Sequence, residues 1–293
     1  MMKPNCSLFR RFVLFAGLGL LVIVFVFPLV WMFSYSLRST ELPPPNQLEF
    51  FARPFAFENY RIALERYLPL GRFLLNSFVV VVFAVPLTVI TGSWAGFAMS
   101  QCSRRVQVLL FGLCIAWLLV PAPAVWIPRF LLFTKLGWID SYAALIAPAL
   151  MGTSPFYILL FYIAFARTSR EVYEAAQIEG ASPLRVWYLI ALPSAVPSVI
   201  TVAMLAFTFF WNDYVSPLLY LRTLLNYTLP VGIQLLQQSA RSNYPVLMAA
   251  SVIMVAPIIL LFGLVQRFFV QEQIDLVRTV RATNLNRPQG KSQ

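Results

Sequence analysis

Six long stretches, free of charged side chains except for one aspartate in the fifth, most constrain what this chain can fold into. They cover 12–37, 73–99, 106–128, 141–166, 190–217 and 243–266. A helix needs about 20 residues to cross the roughly 30 Å hydrocarbon core of a bilayer, so each stretch is long enough for one crossing. Only 11% of the residues are charged, against about 25% in a typical soluble domain. The pattern predicts an all-α integral membrane protein with six transmembrane helices.

The basic residues between these stretches predict the orientation, because cytoplasmic connections of membrane proteins are enriched in Lys and Arg. The short connections on one side contain Arg104, Arg105, Arg167, Arg170 and Arg185, and those on the other contain Arg129, Lys135, Arg222 and Arg241. The first stretch exceeds the 7–15 residues or so of a signal-peptide core and is expected to be a retained anchor. We therefore expect both termini to be cytoplasmic, with an N-terminus at 1–11, a transmembrane domain at 12–270 and a tail at 271–293.

The composition offers little for catalysis. Lys and Arg outnumber Asp and Glu by 22 to 11, but the membrane accounts for that excess, and no nucleic-acid partner is predicted. The chain has no histidine, the commonest general base and metal ligand. No metal-ligand cluster or phosphate-binding glycine loop is visible in the sequence. We expect a transport component rather than an enzyme, with no catalytic residue, no metal and no cofactor bound by this chain.

The connection between the fourth and fifth stretches carries several local signals that agree with one another. Thr168 and Glu171 have the spacing of a capping box, which predicts the start of a helix. Gly180 is placed to end that helix in a left-handed conformation. Ser182 then offers a second N-cap, and Pro183 suits the first position of a new helix. The sequence predicts a short helix, a tight turn and a second helix that leads to the membrane.

The first of these helices combines small and acidic residues. They are Ala175, Ala176 and Gly180 among Glu171, Glu174 and Glu179. Such a surface suits close insertion into a groove lined by positive charge, which makes it a candidate docking element. The alternative is an ordinary helical hairpin on the membrane surface, but an acidic face is disfavoured beside an anionic leaflet. Both interpretations stay open on spacing alone.

The same residues carry a resemblance to a known family. Glu174-Ala175-Ala176, then Gly180, then Leu192-Pro193 resemble the EAA loop of bacterial ABC-importer permeases, and EAAQIEGAS resembles the carbohydrate branch of maltose-type (MalG-like) subunits. Further similar segments are FPLVWMFSYSLR, FLLNSFVV, IPRFLLFTKLGWIDSYAALI and FFWNDYVSPLL. The resemblance covers about residues 20–270. It implies the type I (MetI-like) permease fold in a bacterial cytoplasmic (inner) membrane.

The resemblance also implies partners and residue roles. The loop 167–192 would dock on a homodimeric cytoplasmic ATPase, which would bind ATP and Mg in place of this chain. A second homologous permease would complete the pathway, and an extracytoplasmic binding protein would deliver a sugar. Glu174 would face the ATPase, Ala175 and Ala176 would allow close approach, and Gly180 would make the turn between the two coupling helices before Pro193. Glu179 stands where the family usually has Asp. The tail departs from the Gly-rich ending common in maltose-type relatives, so no ATPase contact is carried over to it.

A few polar residues near the end of the fifth stretch are candidates for contact with a substrate. Trp211, Asn212 and Asp213 combine an aromatic ring with amide and carboxylate groups, a combination that suits sugars. A structural role for Asp213, such as capping a neighbouring helix, is the alternative. An ion-coupled secondary transporter is the main rival function, although no mid-membrane charge pair or inverted repeat is visible. Glycerol phosphate or another polyol remains an alternative substrate, and the sequence does not identify the sugar.

Overall fold

The structure is a computed structural model that describes residues 8–42, 50, 53–150, 154–240 and 243–285. Those residues fold into helices, with a single β-bridge between Arg38 and Phe55. The first half contains α1 (Leu8–Ser36), α2 (Glu58–Glu65), α3 (Leu70–Gln101), α4 (Arg104–Leu118), α5 (Ala122–Lys135), α6 (Ala143–Leu150) and α7 (Pro155–Phe165). The second half contains α8 (Arg170–Ile178), α9 (Pro183–Val186), α10 (Leu192–Ser194), α11 (Val196–Trp211), α12 (Val215–Tyr220), α13 (Leu229–Ser239) and α14 (Tyr244–Leu285).

The chain divides into two compact units. The first comprises Met1–Arg72 with Gly232–Ala256, and the second comprises Phe73–Val231 with Pro257–Gln293. In the first unit, the Asn59 amide donates to the carbonyls of Ser36 and Arg38 at 2.8 Å each, and the hydroxyls of Ser36 and Tyr60 lie 2.7 Å apart. These bonds fix the end of α1 to α2. The second unit contains the candidate sites described below.

Four helical segments are long and apolar enough to cross a membrane, and the count reaches six if each of two sharply bent helix pairs forms one crossing. The four are Phe12–Ser36, Leu70–Gln101, Ala143–Phe165 and Tyr244–Gln266, which agree with the predicted first, second, fourth and sixth crossings. The predicted third and fifth crossings fall on the two bent pairs. Arg104–Leu118 meets Ala122–Lys135 at 92°, and Pro183–Ser194 meets Val196–Trp211 at 86°.

Proline explains both bends. Pro121 and Pro123 lie at the first break, and proline can neither donate a backbone hydrogen bond nor let the residue before it stay helical easily. At the second break a π-helical turn, Trp187–Ala191, precedes Pro193 in α10, and Ala195 leaves helical geometry at φ −109° and ψ 22°. The spacing of charges indicates the length of an apolar stretch but not the angle of a bend within it, so the 92° and 86° angles come from the structure alone.

Helices α3 and α7 approach each other closely in the second unit. A Cβ atom on Gly96 would lie 2.7 Å from Phe161 Cβ and 2.9 Å from the Ile158 carbonyl oxygen, so only glycine fits there. Thr91 of α3 donates its hydroxyl to the Ala149 carbonyl of α6 at 2.8 Å. These contacts pack α3 against both α6 and α7.

The last helix, α14, runs without interruption from Tyr244 to Leu285. It therefore passes the predicted boundary between the transmembrane domain and the tail at 270/271, whose location relative to the membrane stays a prediction. Residues 286–293 of the predicted tail and 1–7 of the predicted N-terminus lie outside the described residues.

Candidate functional site

Helix α8 forms the first half of the predicted docking element. It begins at Arg170 after the N-cap Ser169, whose side chain makes no capping hydrogen bond. The predicted capping box at Thr168 is therefore wrong. Thr168 instead donates its backbone N–H to the Phe165 carbonyl at 3.3 Å and so closes the turn that ends α7.

Gly180 ends α8 in the predicted left-handed conformation, with φ +87°. Its N–H donates to the Gln177 carbonyl at 3.0 Å, and the Ala181 N–H donates to the Ala176 carbonyl at 3.0 Å. This pair of hydrogen bonds is a Schellman motif, which satisfies the last carbonyls of the helix. The left-handed Gly180 turn predicted from the sequence is confirmed.

The second helix starts as predicted. The Ser182 hydroxyl accepts the Arg185 N–H at 3.4 Å, and Pro183 occupies the first helical position of α9. The chain then passes through the π-helical turn into α10, where Pro193 is exposed. The right-angle bend follows at once, so the second helix of the hairpin does not continue straight into α11.

The outer face of α8 carries the predicted residues. Glu174 is exposed and forms an ion pair with Arg170, in which Nε of Arg170 lies 2.9 Å from Oε1 of Glu174. Ala175 and Glu179 are exposed, and Ala176 is half-buried. Exposed i,i+4 ion pairs contribute only about 0.3–0.5 kcal/mol, so Glu174 remains free to exchange its partner. Ile178 lies on the same helix with 87% of its surface exposed. This apolar side chain, beside the carboxylates of the same helix, is available for contact with a partner.

The inner face of α8 is held by one side chain, Tyr173, which is only 2% exposed. Its ring packs edge-on against Phe97 of α3 with centroids 5.5 Å apart, and its hydroxyl donates to the Phe165 carbonyl of α7 at 3.4 Å. Phe97 packs against Phe165 at 5.8 Å, which closes an aromatic cluster. The cluster fixes α8 to the ends of two candidate membrane helices.

A second aromatic contact joins the hairpin to α3. Trp187, the first residue of the π-helical turn, stacks on Trp94 with centroids 6.1 Å apart and planes 26° apart. Trp94 and Phe97 lie three residues apart, so they share one face of α3. Sequence reasoning missed Tyr173, Trp187 and Ile178, because their roles depend on which surfaces other helices cover.

The three residues at the end of α11 have different environments. Trp211 is 1% exposed and packs against Phe78 at 4.8 Å and Phe207 at 5.5 Å, so its ring belongs to the core. Asn212 is exposed, and its amide donates to the Thr208 carbonyl at 2.9 Å. Asp213 accepts the Ser216 N–H at 3.1 Å at the start of α12 and also lines a cavity. The structure thus does not bring the three side chains together around one space.

A carboxylate clasp that the sequence did not reveal is formed by Asp140, in the connection between α5 and α6. Asp140 has φ +62°, and its carboxylate accepts the backbone N–H groups of Arg222 and Thr223 at 2.9 and 3.0 Å, together with the Thr223 hydroxyl. Asn226 donates to it as well. The Thr223 hydroxyl and these N–H groups hold the pKa of Asp140 well below its usual range. The clasp ties the segment after α12 to the α5–α6 connection.

A second support acts on the same segment from α3. The Asn76 amide donates to the carbonyls of Leu225 and Tyr227 at 2.9 Å each, and the Ser77 hydroxyl accepts the Leu229 N–H at 2.9 Å. Asp140, Asn76 and Ser77 together give the stretch from Arg222 to Leu229 a defined conformation.

Comparison with known proteins gives one family match. The family described as "Binding-protein-dependent transport system inner membrane component" matches residues 84–274, well over half of the chain. The matched region includes the α8–α10 hairpin and both bent helix pairs.

Similar proteins include several sugar permeases. The chain is 28% identical over 252 residues to the sulfoquinovosyl glycerol transport system permease protein SmoH of Agrobacterium fabrum, covering 86% of this chain and 88% of that protein. It is 29% identical over 266 residues to the trehalose/maltose transport system permease protein MalG of Thermococcus litoralis, covering 89% and 94%. It is 28% identical over 271 residues to the arabinooligosaccharides permease AraQ of Halalkalibacterium halodurans, covering 92% and 96%.

Solved structures with the same fold include a polysaccharide importer. A chain of a bacterial ABC transporter involved in the import of the acidic polysaccharide alginate matches with a TM-score of 0.74 and 23% identity, covering 92% of this chain and 99% of that chain. At this identity the likeness supports the fold only. It confirms the predicted MetI-like permease fold.

Proposed function

Because this chain belongs to the family of binding-protein-dependent transport system inner membrane components, we propose that it is the sugar-conducting permease subunit of an ATP-driven importer and is driven through loop 167–192. The family consists of multi-pass transport components of the inner membrane rather than enzymes, so the resemblance predicted from the sequence is confirmed. The hairpin of α8 and α9 carries the proposal, because its outer face is acidic, small and apolar while Tyr173 holds its inner face.

The outer face of α8 suits a protein groove better than a lipid surface. Glu171, Glu174 and Glu179 would be repelled by an anionic leaflet, but they suit a cleft lined by basic residues. Ala175 lets the helix backbone come close to a partner, and Ile178 supplies an apolar contact. Small, apolar and charged groups on one exposed helix face form a helix-in-groove ligand.

The proposed partner of this face is a cytoplasmic ATPase homodimer, which binds ATP and Mg in place of this chain. This places both chain termini and the α8–α10 hairpin on the cytoplasmic side, as the arginine distribution predicts. A second, related permease completes the pathway, and an extracytoplasmic binding protein delivers the substrate. The stretch held by Asp140 and Asn76 would then face that binding protein.

A sugar is the substrate that similarity favours. MalG, AraQ and SmoH are each described as permeases for sugars or a sugar glycoside, and each is matched over at least 86% of this chain. The polyol or glycerol phosphate alternative differs in the small molecule and not in the mechanism. An ion-coupled transporter would be a different mechanism, and membership of a binding-protein-dependent family argues against it.

The test uses two matched charge reversals on exposed ion pairs. Glu174→Lys breaks the pair with Arg170 on α8, and Glu58→Lys breaks the pair with Arg61 on α2, where Nη2 lies 2.6 Å from Oε1. The purified assembly in proteoliposomes is assayed for copurified ATPase, for sugar-stimulated ATP hydrolysis and for sugar uptake.

We expect Glu174→Lys to lose ATPase from the assembly and to abolish stimulation, and Glu58→Lys to resemble wild type. Equal behaviour of the two variants would contradict the assignment of α8 as the coupling element. A wild-type assembly without any ATPase would contradict the importer function itself.

A further inference from the structure

A cavity at the break between α4 and α5 contains the most unusual charge arrangement in the described part of the second unit. Its volume is about 390 Å³, within the range of about 300–1,000 Å³ of small-molecule sites. Apolar side chains form most of its wall. The polar and aromatic side chains along it are Trp117, Trp126, Arg129, Ser154, Asp213 and Ser216.

Two opposite charges face this cavity without forming an ion pair. Neither Arg129 nor Asp213 belongs to any ion pair among the residues that the structure describes. Both lie near Tyr220, whose pKa is raised by burial and shifted in opposite directions by the Arg129 and Asp213 charges. Charged groups in apolar surroundings are normally paired or neutralised, and a functional role is the default explanation for those that are not.

The chemistry of the two groups is complementary. A guanidinium only donates hydrogen bonds, and an ionised carboxylate only accepts them. A sugar hydroxyl does both, so a ring with several hydroxyls can bond to Arg129 on one side and Asp213 on the other. Trp117 and Trp126 add flat apolar surfaces on which the ring faces of a sugar can stack. With one positive and one negative side chain, the lining has no net charge and favours an uncharged ligand.

We propose that this cavity is a sugar-binding site of the permease itself, in which Arg129 and Asp213 bond hydroxyls of one uncharged sugar ring beside Trp117 and Trp126. The inference rests on the proposed function, because it names where that substrate is held on its way through the chain. In the proposed topology the break between α4 and α5 lies towards the extracytoplasmic side, where a binding protein would release the sugar. The 92° bend between α4 and α5 brings the ends of both helices to the wall of this cavity.

The variants distinguish a role of the two charges in sugar binding from a role in the local fold. Asp213→Asn keeps an oxygen that can accept the Ser216 N–H but removes the charge, and Arg129→Leu removes all donors while Arg129→Lys keeps the charge. Arg105→Leu, at an exposed position outside the cavity, is the matched arginine control.

The assay uses the whole importer with its ATPase and partner permease. Uptake by wild-type proteoliposomes with the binding protein first selects the best-imported sugar from maltose, trehalose, melibiose, raffinose and arabinotriose. Binding of that sugar to the importer in nanodiscs, without the binding protein, is then followed by tryptophan fluorescence. Basal ATP hydrolysis checks that each variant is assembled.

We expect Arg129→Leu and Asp213→Asn each to weaken sugar binding about tenfold or more, Arg129→Lys to weaken it less, and Arg105→Leu to leave it unchanged. Wild-type affinity in both Arg129→Leu and Asp213→Asn would overturn the site. So would an importer that transports the sugar but does not bind it without the binding protein, and in both cases the proposed function would stand. Failure of wild type to import any of the five sugars would overturn the proposed function and this inference together.

Discussion

The substitution Gly180→Ala tests the coupling hairpin at its turn. Gly180 has φ +87°, and a Cβ atom added there would meet no other atom within 4 Å. The cost is therefore confined to the backbone, since an L-residue in the left-handed region is destabilised by about 1–2 kcal/mol. Asparagine tolerates that region better than alanine, so Gly180→Asn should cost less.

The expected effect on coupling follows from this energy. If the ATPase binds only the hairpin with the Schellman turn formed, a loss of about 1–2 kcal/mol reduces the competent fraction and weakens apparent binding up to about 5–30-fold. Retention of the ATPase during purification and sugar-stimulated hydrolysis should fall in the order wild type, Gly180→Asn, Gly180→Ala.

Gly137 provides a matched control for the same backbone cost. It has φ +68° after α5, has open space around its Cβ position, and forms an equivalent turn in which Trp138 N–H donates to the Phe133 carbonyl at 2.9 Å. Gly137→Ala should lower thermal stability as much as Gly180→Ala but leave ATPase retention unchanged. Equal loss of the ATPase in both variants, or its full retention in Gly180→Ala, would contradict a role of this turn in coupling.

Three further changes have definite expected outcomes. Gly96→Ala should lower the free energy of unfolding by about 1–3 kcal/mol, because the added methyl group would overpack against Phe161. Gly92→Ala, whose added Cβ atom would have its nearest neighbour at 3.7 Å, should be tolerated. Thermal unfolding in detergent distinguishes the two variants. Tyr173→Ala should lower the free energy of unfolding by about 3–5 kcal/mol and should uncouple ATP hydrolysis from sugar uptake. Tyr173→Phe keeps the ring and should stay coupled. Because the folded-state pKa of Asp140 is depressed, the clasp should be fully stable above the ordinary carboxyl pKa of about 4 and weaken only as the pH falls below it. Protease protection of the segment after α12, measured from pH 7 to 3, checks this. Loss of protection already at pH 6 would contradict it.

Caps and turns could be predicted from the sequence, because they depend on residues that are close to one another along the chain. Gly180, Ser182 and Pro183 were predicted correctly because a left-handed cap, an N-cap and a first-turn proline each follow from local backbone chemistry. The family was also accessible, because the EAA-type residues occur at fixed spacing in one loop. Thr168 was misplaced by one residue, since the end of α7 competes for its backbone N–H.

Contacts between residues that are far apart in the sequence could not be predicted. Tyr173 resembles any tyrosine on an amphipathic helix until Phe97 and Phe165 are placed beside it. Trp211 was a candidate for substrate contact because of its position, yet α3 and α11 bury it against Phe78 and Phe207. Pro121 lies at the break between α4 and α5, but only the folded chain shows the 92° angle and the cavity beside it.

The two aromatic contacts on α3 determine how movement of the hairpin would reach the membrane. Tyr173 attaches α8 to Phe97, and Trp187 attaches the π-helical turn to Trp94, so both halves of the hairpin are fixed to one face of α3. The junction with α11, by contrast, is a right-angle bend at Ala195 where the helical hydrogen bonding is interrupted. A rigid packed contact transmits displacement, whereas an interrupted helix absorbs part of it. Closure of the proposed ATPase should therefore displace α3 together with the hairpin, and α11 should change its angle to α10 rather than follow rigidly.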